Sequence, residues 1–345
     1  MAKSGPFMNF NFNFIFLMFN NLIIYKMKKV LLTAIVIIVA GIITSCNQSE
    51  FDDTSGKRVK VNFSSNIVKV TPPITTRMSG NKWESNDSIG IYMFNDVSTD
   101  IVEGMKNIKY TTQNNDENAV FQADDVTIFF PDNGDKVRFM SYYPYTASLI
   151  NDTYAVNVSD QTSQSEIDLL YSFDTEKKYD KKTPDKKVSL VFSHMLTKIN
   201  IHIKPGEGLE ISDIENVVVH FEGFNTKADF DLFTGELSNS ADISNITPKT
   251  MVSSEADVVS FEAIIIPTSN PNDSKMVFDL KNGSGVEGDE GYIKSDVFTW
   301  KFTEEDALVK STEYTYNVII QRSGIVVEAT IHDWIPGGEK PIIAE

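Results

Sequence analysis

From Arg58 onward, apolar residues recur at every second position. VKVNF sets Val59, Val61 and Phe63 on one face, and SIGIYMF sets Ile89, Ile91 and Met93 together. KVRFMSYYPY aligns Val137, Phe139, Ser141 and Tyr143. KINIHIK turns Ile199, Ile201 and Ile203 inward and Asn200, His202 and Lys204 outward. VSFEAIIIP, EYTYNVII and GIVVEATIHDW repeat the pattern through Val259–Ile265, Tyr314–Ile320 and Ile325–Ile331. A period of two predicts strands with one packed face and one wet face. Clusters such as TPP, SGN, PDNGD, KPGEG, TSNPNDS and NGSGVEGDEG separate the runs and predict turns. No long amphipathic helix is predicted; TEEDALVKS (303–311) has room for two helical turns. The chain therefore reads as all-β, a sandwich or a barrel. The charged run EKKYDKKTPDKK (176–187) has no apolar period and contains Pro184, so it is expected to link two units, 58–185 and 186–345.

The first 57 residues break this pattern. Met27-Lys28-Lys29 opens a basic stretch, and the apolar run VLLTAIVIIVAGIITS follows from Val30 to Ser45. The order of charge, apolar core and small residues is that of a secretory signal peptide, here 27–45. At about 16 residues the run is short for a membrane span of ~20. Its end, Ile43-Thr44-Ser45-Cys46, looks like a bacterial lipobox. Cys46 is the chain's one cysteine and the expected lipidation site; the competing reading is an uncleaved helix with an idle thiol. Two or three acyl chains, at ~0.8 kcal/mol for each buried CH₂, hold a protein firmly on a membrane. Residues 1–26 are rich in Phe and Asn, and a signal peptide starting at Met27 is complete without them. They are expected to be an upstream start extension. NQSEFDDTSG after Cys46 reads as an acidic tether, 46–57. Acidic residues in that place resemble surface-export signals of some Gram-negative lipoproteins.

Charge narrows the partners. The whole chain carries −17, and the expected mature chain, lacking four lysines and no acid, carries −21. That excludes the basic footprint of a nucleic-acid binder. With Cys46 taken by lipid, no disulfide or thiolate metal site remains.

Catalytic and metal-binding patterns are weak throughout. His194, His202, His220 and His332 have no metal-ligand spacing. His202 and His332 are expected to face solvent, and His194 to be buried and hydrogen-bonded. GSGVEG (283–288) spells GxGxxG, but no helix follows, and Glu287, Asp289 and Glu290 would repel a phosphate. PDNGD (131–135) lacks the ligands of a calcium loop and reads as a turn. Asp229 and Asp231 share a strand face; a wet face is favoured over a glycosidase pair. Tyr142, Tyr143 and Tyr145 are expected in the core or at its rim, with a sugar- or protein-binding patch as the alternative. No enzyme and no cofactor beyond the lipid are expected.

Several stretches in order resemble the fimbrillin family, the fimbria subunits and anchor lipoproteins of anaerobic Gram-negative bacteria. They are TRMSGNKWESNDSIGIYMF, FFPDNGDKVRFMSYYPY, DLLYS, VSLVFSHMLTKINIHI, GFNTKADFDLFTGEL, AIIIP, and YTYNVII with ATIHDW. The resemblance implies two tandem β-sandwich domains of transthyretin-like type, lipoprotein export to the outer membrane and cell surface, and a stalk, tip or anchor role in a fimbrium. It also implies strand exchange: an arginine-specific protease removes the first strand, and a neighbouring subunit's strand fills the groove. Here that strand is RVKVNFSSNIVKV (58–70). Pro72 and Pro73 end it, and Arg77 is the single arginine in the loop TPPITTRMSG, the candidate processing site. The donor is either the tail after Trp334, with a Gly337-Gly338 hinge and Pro341-Ile342-Ile343, or the GIVVEATIHDW strand itself. The partners implied are other fimbrial subunits and the outer membrane. The alternative function is a monomeric surface lipoprotein that binds carbohydrate or host protein on the same fold.

Overall fold

The computed structural model describes residues 58–67, 82–116, 118–281 and 296–333. The start extension, signal segment, Cys46, tether, Arg77, the GxGxxG loop and the tail from Trp334 lie outside them. The described residues fall within one compact unit, Arg58–Glu345.

The all-β expectation holds. The first half supplies β1 (Asn62–Ile67), β2 (Ser88–Asn95), β3 (Ile108–Thr112), β4 (Val120–Ala123), β5 (Val137–Tyr143), β6 (Thr153–Asn157), β7 (Leu170–Phe173) and β8 (Lys187–His194). The second half supplies β9 (Thr197–Pro205), β10 (Val218–Glu222), β11 (Asn225–Asp231), β12 (Glu236–Ile243), β13 (Lys249–Met251) and β14 (Val259–Ile265). It ends with β15 (Lys275–Asp279), β16 (Val297–Lys301), β17 (Thr312–Gln321) and β18 (Gly324–Asp333). Two one-turn helices, α1 (Gln164–Ile167) and α2 (Ile211–Ile214), are the only α-helices among the described residues. The expected helical turns in 303–311 do not form. Asp306 instead accepts bonds from the Thr303 backbone N–H and hydroxyl, which closes a turn.

Seven strands close a barrel in the order β1-β4-β3-β2-β5-β7-β8. The others make three open sheets, β12-β11-β6, β10-β15-β16 and β13-β14-β9-β17-β18. Pairing crosses the expected 185/186 boundary in both directions. After the charged run, β8 returns to the barrel beside β1, and β6 leaves it to pair with β11. The run itself is not a free linker: Tyr179 exchanges both backbone bonds with Val137, and Pro184–Lys186 forms a 3-10 turn.

The expectation of one wet face fails for the central strands. β5 is buried at every residue, β2 at Ile89–Phe94 and β14 at Ser260–Ile265. The cause is a second layer. Ile91, Met93, Val137 and Phe139 point into the barrel with Val61, Phe63 and Leu190. Tyr92, Phe94, Met140 and Tyr142 point the other way, into a second core with Ile199, Ile201, Phe230, Phe278 and Tyr316. Strands covered on both sides lose the alternation of polarity.

Gly90 marks how closely β2 and β5 pack. A Cβ there would lie 2.3 Å from Tyr142 Cε1 and 2.6 Å from Asn107 Oδ1. The Tyr142 hydroxyl donates to that same Asn107 oxygen at 2.8 Å, so neither group can withdraw without breaking the bond. Gly90→Ala is expected to destabilise the fold by about 2 kcal/mol, the usual scale of overpacking. Thermal unfolding followed by circular dichroism should show a midpoint roughly 3 °C lower.

Candidate functional site

The first strand seals the barrel. β1 runs antiparallel to β4 through Phe63↔Phe121 and Ser64↔Val120. It runs parallel to β8 in unbroken register from Asn62↔Lys187 to Ile67↔Phe192. Upstream, Val61 N–H donates to Ile128 O at 3.0 Å, and Val59 O accepts from Phe130 N–H at 2.9 Å. Alternation then fixes its inner face. Val61 and Phe63 are essentially fully buried. Phe63 meets Tyr110 and Phe139 edge-on, each at 5.1 Å between ring centres. Arg58, just before the strand, ion-pairs with Glu103 and lies 4.6 Å over the Phe129 ring.

The far edge of β8 is weakly held. β8 pairs with β7 only through Leu170↔His194 and Tyr171↔Ser193. Beyond that point the strands diverge around a cavity of about 480 Å³, lined by Phe139, Tyr179, Val188, Leu190 and Val191 among others. Most of the ladder that keeps β8 in the barrel is therefore its ladder with β1.

The two cores meet at a polar junction. Trp83 is buried, with Phe121, Tyr143 and Phe192 edge-on around it. Asp87 accepts from Tyr143 Oη at 3.0 Å and from Glu84 N–H at 2.7 Å. Desolvation raises its carboxyl above the usual range, partly offset by those two bonds. His194 is wholly buried with Nδ1 2.9 Å from Asp168. Lys198 Nζ lies 2.9 Å from Glu262, both side chains nearly inaccessible. Gln161 and Gln164 bond the backbone of β14 at Ile264 and Glu262. A space of about 200 Å³ remains between Trp83, Asp87, Asp168, Lys198 and Glu262. A buried ion pair contributes little net stability, but loss of one partner strands the other charge.

The structure sorts the remaining candidates. His194 is buried as expected. His202 is not a solvent-facing residue: it is half-buried with Nδ1 2.9 Å from Ser260 Oγ, and burial lowers its pKa. His220 pairs with Glu222. His332 has its side chain outside the described residues. Tyr142 and Tyr143 are core residues, which removes the exposed aromatic patch. PDNGD is a turn with Gly134 at φ +83°. Asp231 accepts from Phe233 and Thr234 N–H and Asp229 from Asn239, so the two carboxylates cap a hairpin. No group of His, Cys, Asp and Glu among the described residues could hold a metal. The Glu262 partnership was missed, although its charge inside the apolar run VSFEAIII was a visible signal.

The profile of the fimbrillin-like family matches residues 76–334. The chain belongs to the fimbrillin-like family. A candidate fimbrium subunit of Bacteroides uniformis, Fim1C, is 34% identical over 270 residues, which is 76% of this chain and 82% of that one. The crystal structure of a candidate cell adhesion protein from the same species has a TM-score of 0.62 at 31% identity, covering 80% of this chain and 98% of that chain. One from Bacteroides ovatus has a TM-score of 0.62 at 20% identity, covering 82% and 100%, and shows the shared fold. The fimbrillin-like match begins at residue 76, so β1 lies upstream of the shared profile.

Phe63 is the main apolar anchor of β1. Phe63→Ala is expected to cost about 3–5 kcal/mol, the range for a buried aromatic. Urea unfolding should show the midpoint falling with the slope unchanged.

Proposed function

We propose that this chain is a fimbrial subunit of the cell surface, whose partners are other fimbrial subunits and whose first strand is exchanged on assembly. The supporting observation is the seat of β1, which is an N-terminal strand between β4 and β8 carrying Val61 and Phe63 into the barrel core. Its removal would leave two unpaired edges flanking an apolar slot. Main-chain groups along such a slot give affinity to an incoming strand, and alternate side chains give register. Arg77, downstream of β1, is the proposed cut, because severing there detaches the strand from the barrel that follows. Arg58 precedes the strand, and a cut there would leave β1 seated.

Export as a lipoprotein completes this reading. The Ile43-Thr44-Ser45-Cys46 stretch supplies the thiol for a lipid that would hold the subunit at the outer membrane. The tandem sandwich organisation of transthyretin-like type is part of the same proposal, with the barrel and the three open sheets as its two halves. Stalk, tip and anchor subunits would share these parts.

Treating cells that display the full chain with a low dose of an arginine-specific protease should give one cut, after Arg77. SDS-resistant oligomer ladders should follow, and Arg77→Ala should lose both. Scattered cuts with a monomeric product would instead support a monomeric surface binding protein. Separately, Cys46→Ser should abolish labelling by radioactive palmitate and move the chain from the membrane fraction to the medium; undiminished labelling would refute the lipid assignment.

A further inference from the structure

The two spaces described above differ in what lines them. Among the described residues, no side chain around the cavity beside β8 is a buried polar group without a hydrogen-bond partner. The smaller space at the junction of the cores is lined by two such residues, Trp83 and Glu262. Trp83 is 1% exposed, and its indole N–H has no acceptor. Phe121, Tyr143 and Phe192 stand edge-on around the ring. Of these only Tyr143 carries an oxygen, and its hydroxyl is committed to Asp87. Glu262 is 6% exposed, and its Oε2 is charge-paired with Lys198 Nζ at 2.9 Å, outside hydrogen-bonding geometry. A buried polar group without a partner is costly, so a fold that keeps a donor and an acceptor of this kind around one space calls for an explanation.

The space is a cleft with a buried floor and an exposed rim. Trp83, Tyr143, Gln164, Asp168, Lys198 and Glu262 are buried. Lys82, Glu84, Thr162, Ser165 and Lys249 are exposed. The floor groups come from the segment before β2, from β5, α1, β9 and β14, so a ligand there touches both halves of the fold. At roughly 30 Å³ for each water, its 200 Å³ has room for about six waters, or for one sugar ring with its hydroxyls.

The chemistry of the lining narrows the ligand. A hydroxyl both donates and accepts, so a single class of ligand answers the open indole N–H and the open carboxylate oxygen. Lys198 already balances Glu262, and His194 lies against Asp168, so the floor asks for no added charge. An ion entering it would lose its hydration without a counter-charge to meet. Met251 and Ile264 give the cleft an apolar side on which the carbon face of a ring can rest. Apolar walls with a few convergent polar groups are the usual make-up of a small-molecule site. We infer that this cleft binds one residue of a neutral glycan, one sugar hydroxyl accepting from Trp83 Nε1–H and another donating to Glu262 Oε2. Such binding is a function beyond assembly, and it does not depend on a cut at Arg77 or on exchange of β1.

The test uses the full chain in mild detergent, labelled with nitrogen-15. The indole N–H signal of Trp83 is identified by its loss in Trp83→Phe. The probes are glucose, galactose, mannose, fucose and N-acetylglucosamine, with acetate and glycine as anionic and zwitterionic comparisons. In the expected result at least one sugar shifts the Trp83 signal saturably, in the millimolar range, and acetate and glycine do not. Glu262→Gln and Met251→Trp, the second filling the cleft from its half-buried side, should each weaken that sugar about tenfold or more, the scale of a lost hydrogen bond to a charged group. If Glu262→Gln does not fold because Lys198 has lost its counter-charge, Met251→Trp decides. Three results overturn the inference: no saturable shift from any of the sugars, which would mean that the cleft holds water only; a shift by acetate or glycine equal to that by the sugars; or undiminished sugar binding in Met251→Trp.

Discussion

The barrel depends on one seam. A sheet curled into a barrel has no free edges only while its first and last strands meet, and here β1 makes that meeting on both sides. Each buried N–H and C=O along β4 and β8 must find a partner, and β1 supplies them without a covalent bond to either strand. The same strand carries Val61 and Phe63, so the backbone seal and the apolar seal are one object. The sparse β7–β8 pairing sharpens this dependence. With little ladder on its far side, β8 stays in the barrel chiefly through its parallel neighbour.

Much of the fold was legible because a strand with one wet face announces itself. β9 and β17 fall where their alternating runs place them, and the turn clusters separate real elements. The second layer was not legible. Tyr92, Phe94 and Met140 sit at the parity assigned to solvent, and nothing local distinguishes a residue facing water from one facing another sheet. The boundary between halves was hidden for a related reason. The charged run 176–187 looks like a linker by composition, yet long-range pairing carries β8 back to β1, and pairing over more than a hundred residues leaves no local signature.

The functional elements divide along similar lines. The proposed lipid site Cys46 and the proposed cut at Arg77 come from short motifs in residue order, and both lie outside the described residues. The junction between the cores is the reverse case. Lys198 and Glu262, or His194 and Asp168, meet only after β7, β9, α1 and β14 have come together. Helix α1 and its preceding turn owe their place to Gln161 and Gln164, whose amides replace missing strand partners along β14. None of this could be inferred from spacing.

The direction of β1 beside β8 bears on how the molecule carries load. The two strands run the same way, and only Met195 and Leu196 separate β8 from β9, in the middle of the five-stranded sheet. Tension between the segment before β1 and that sheet would drag the two strands lengthwise past each other. Bonds strained in that manner share the force and must rupture together, whereas a peeled hairpin yields one rung at a time. A joint of this form resists stretching along the direction of its strands.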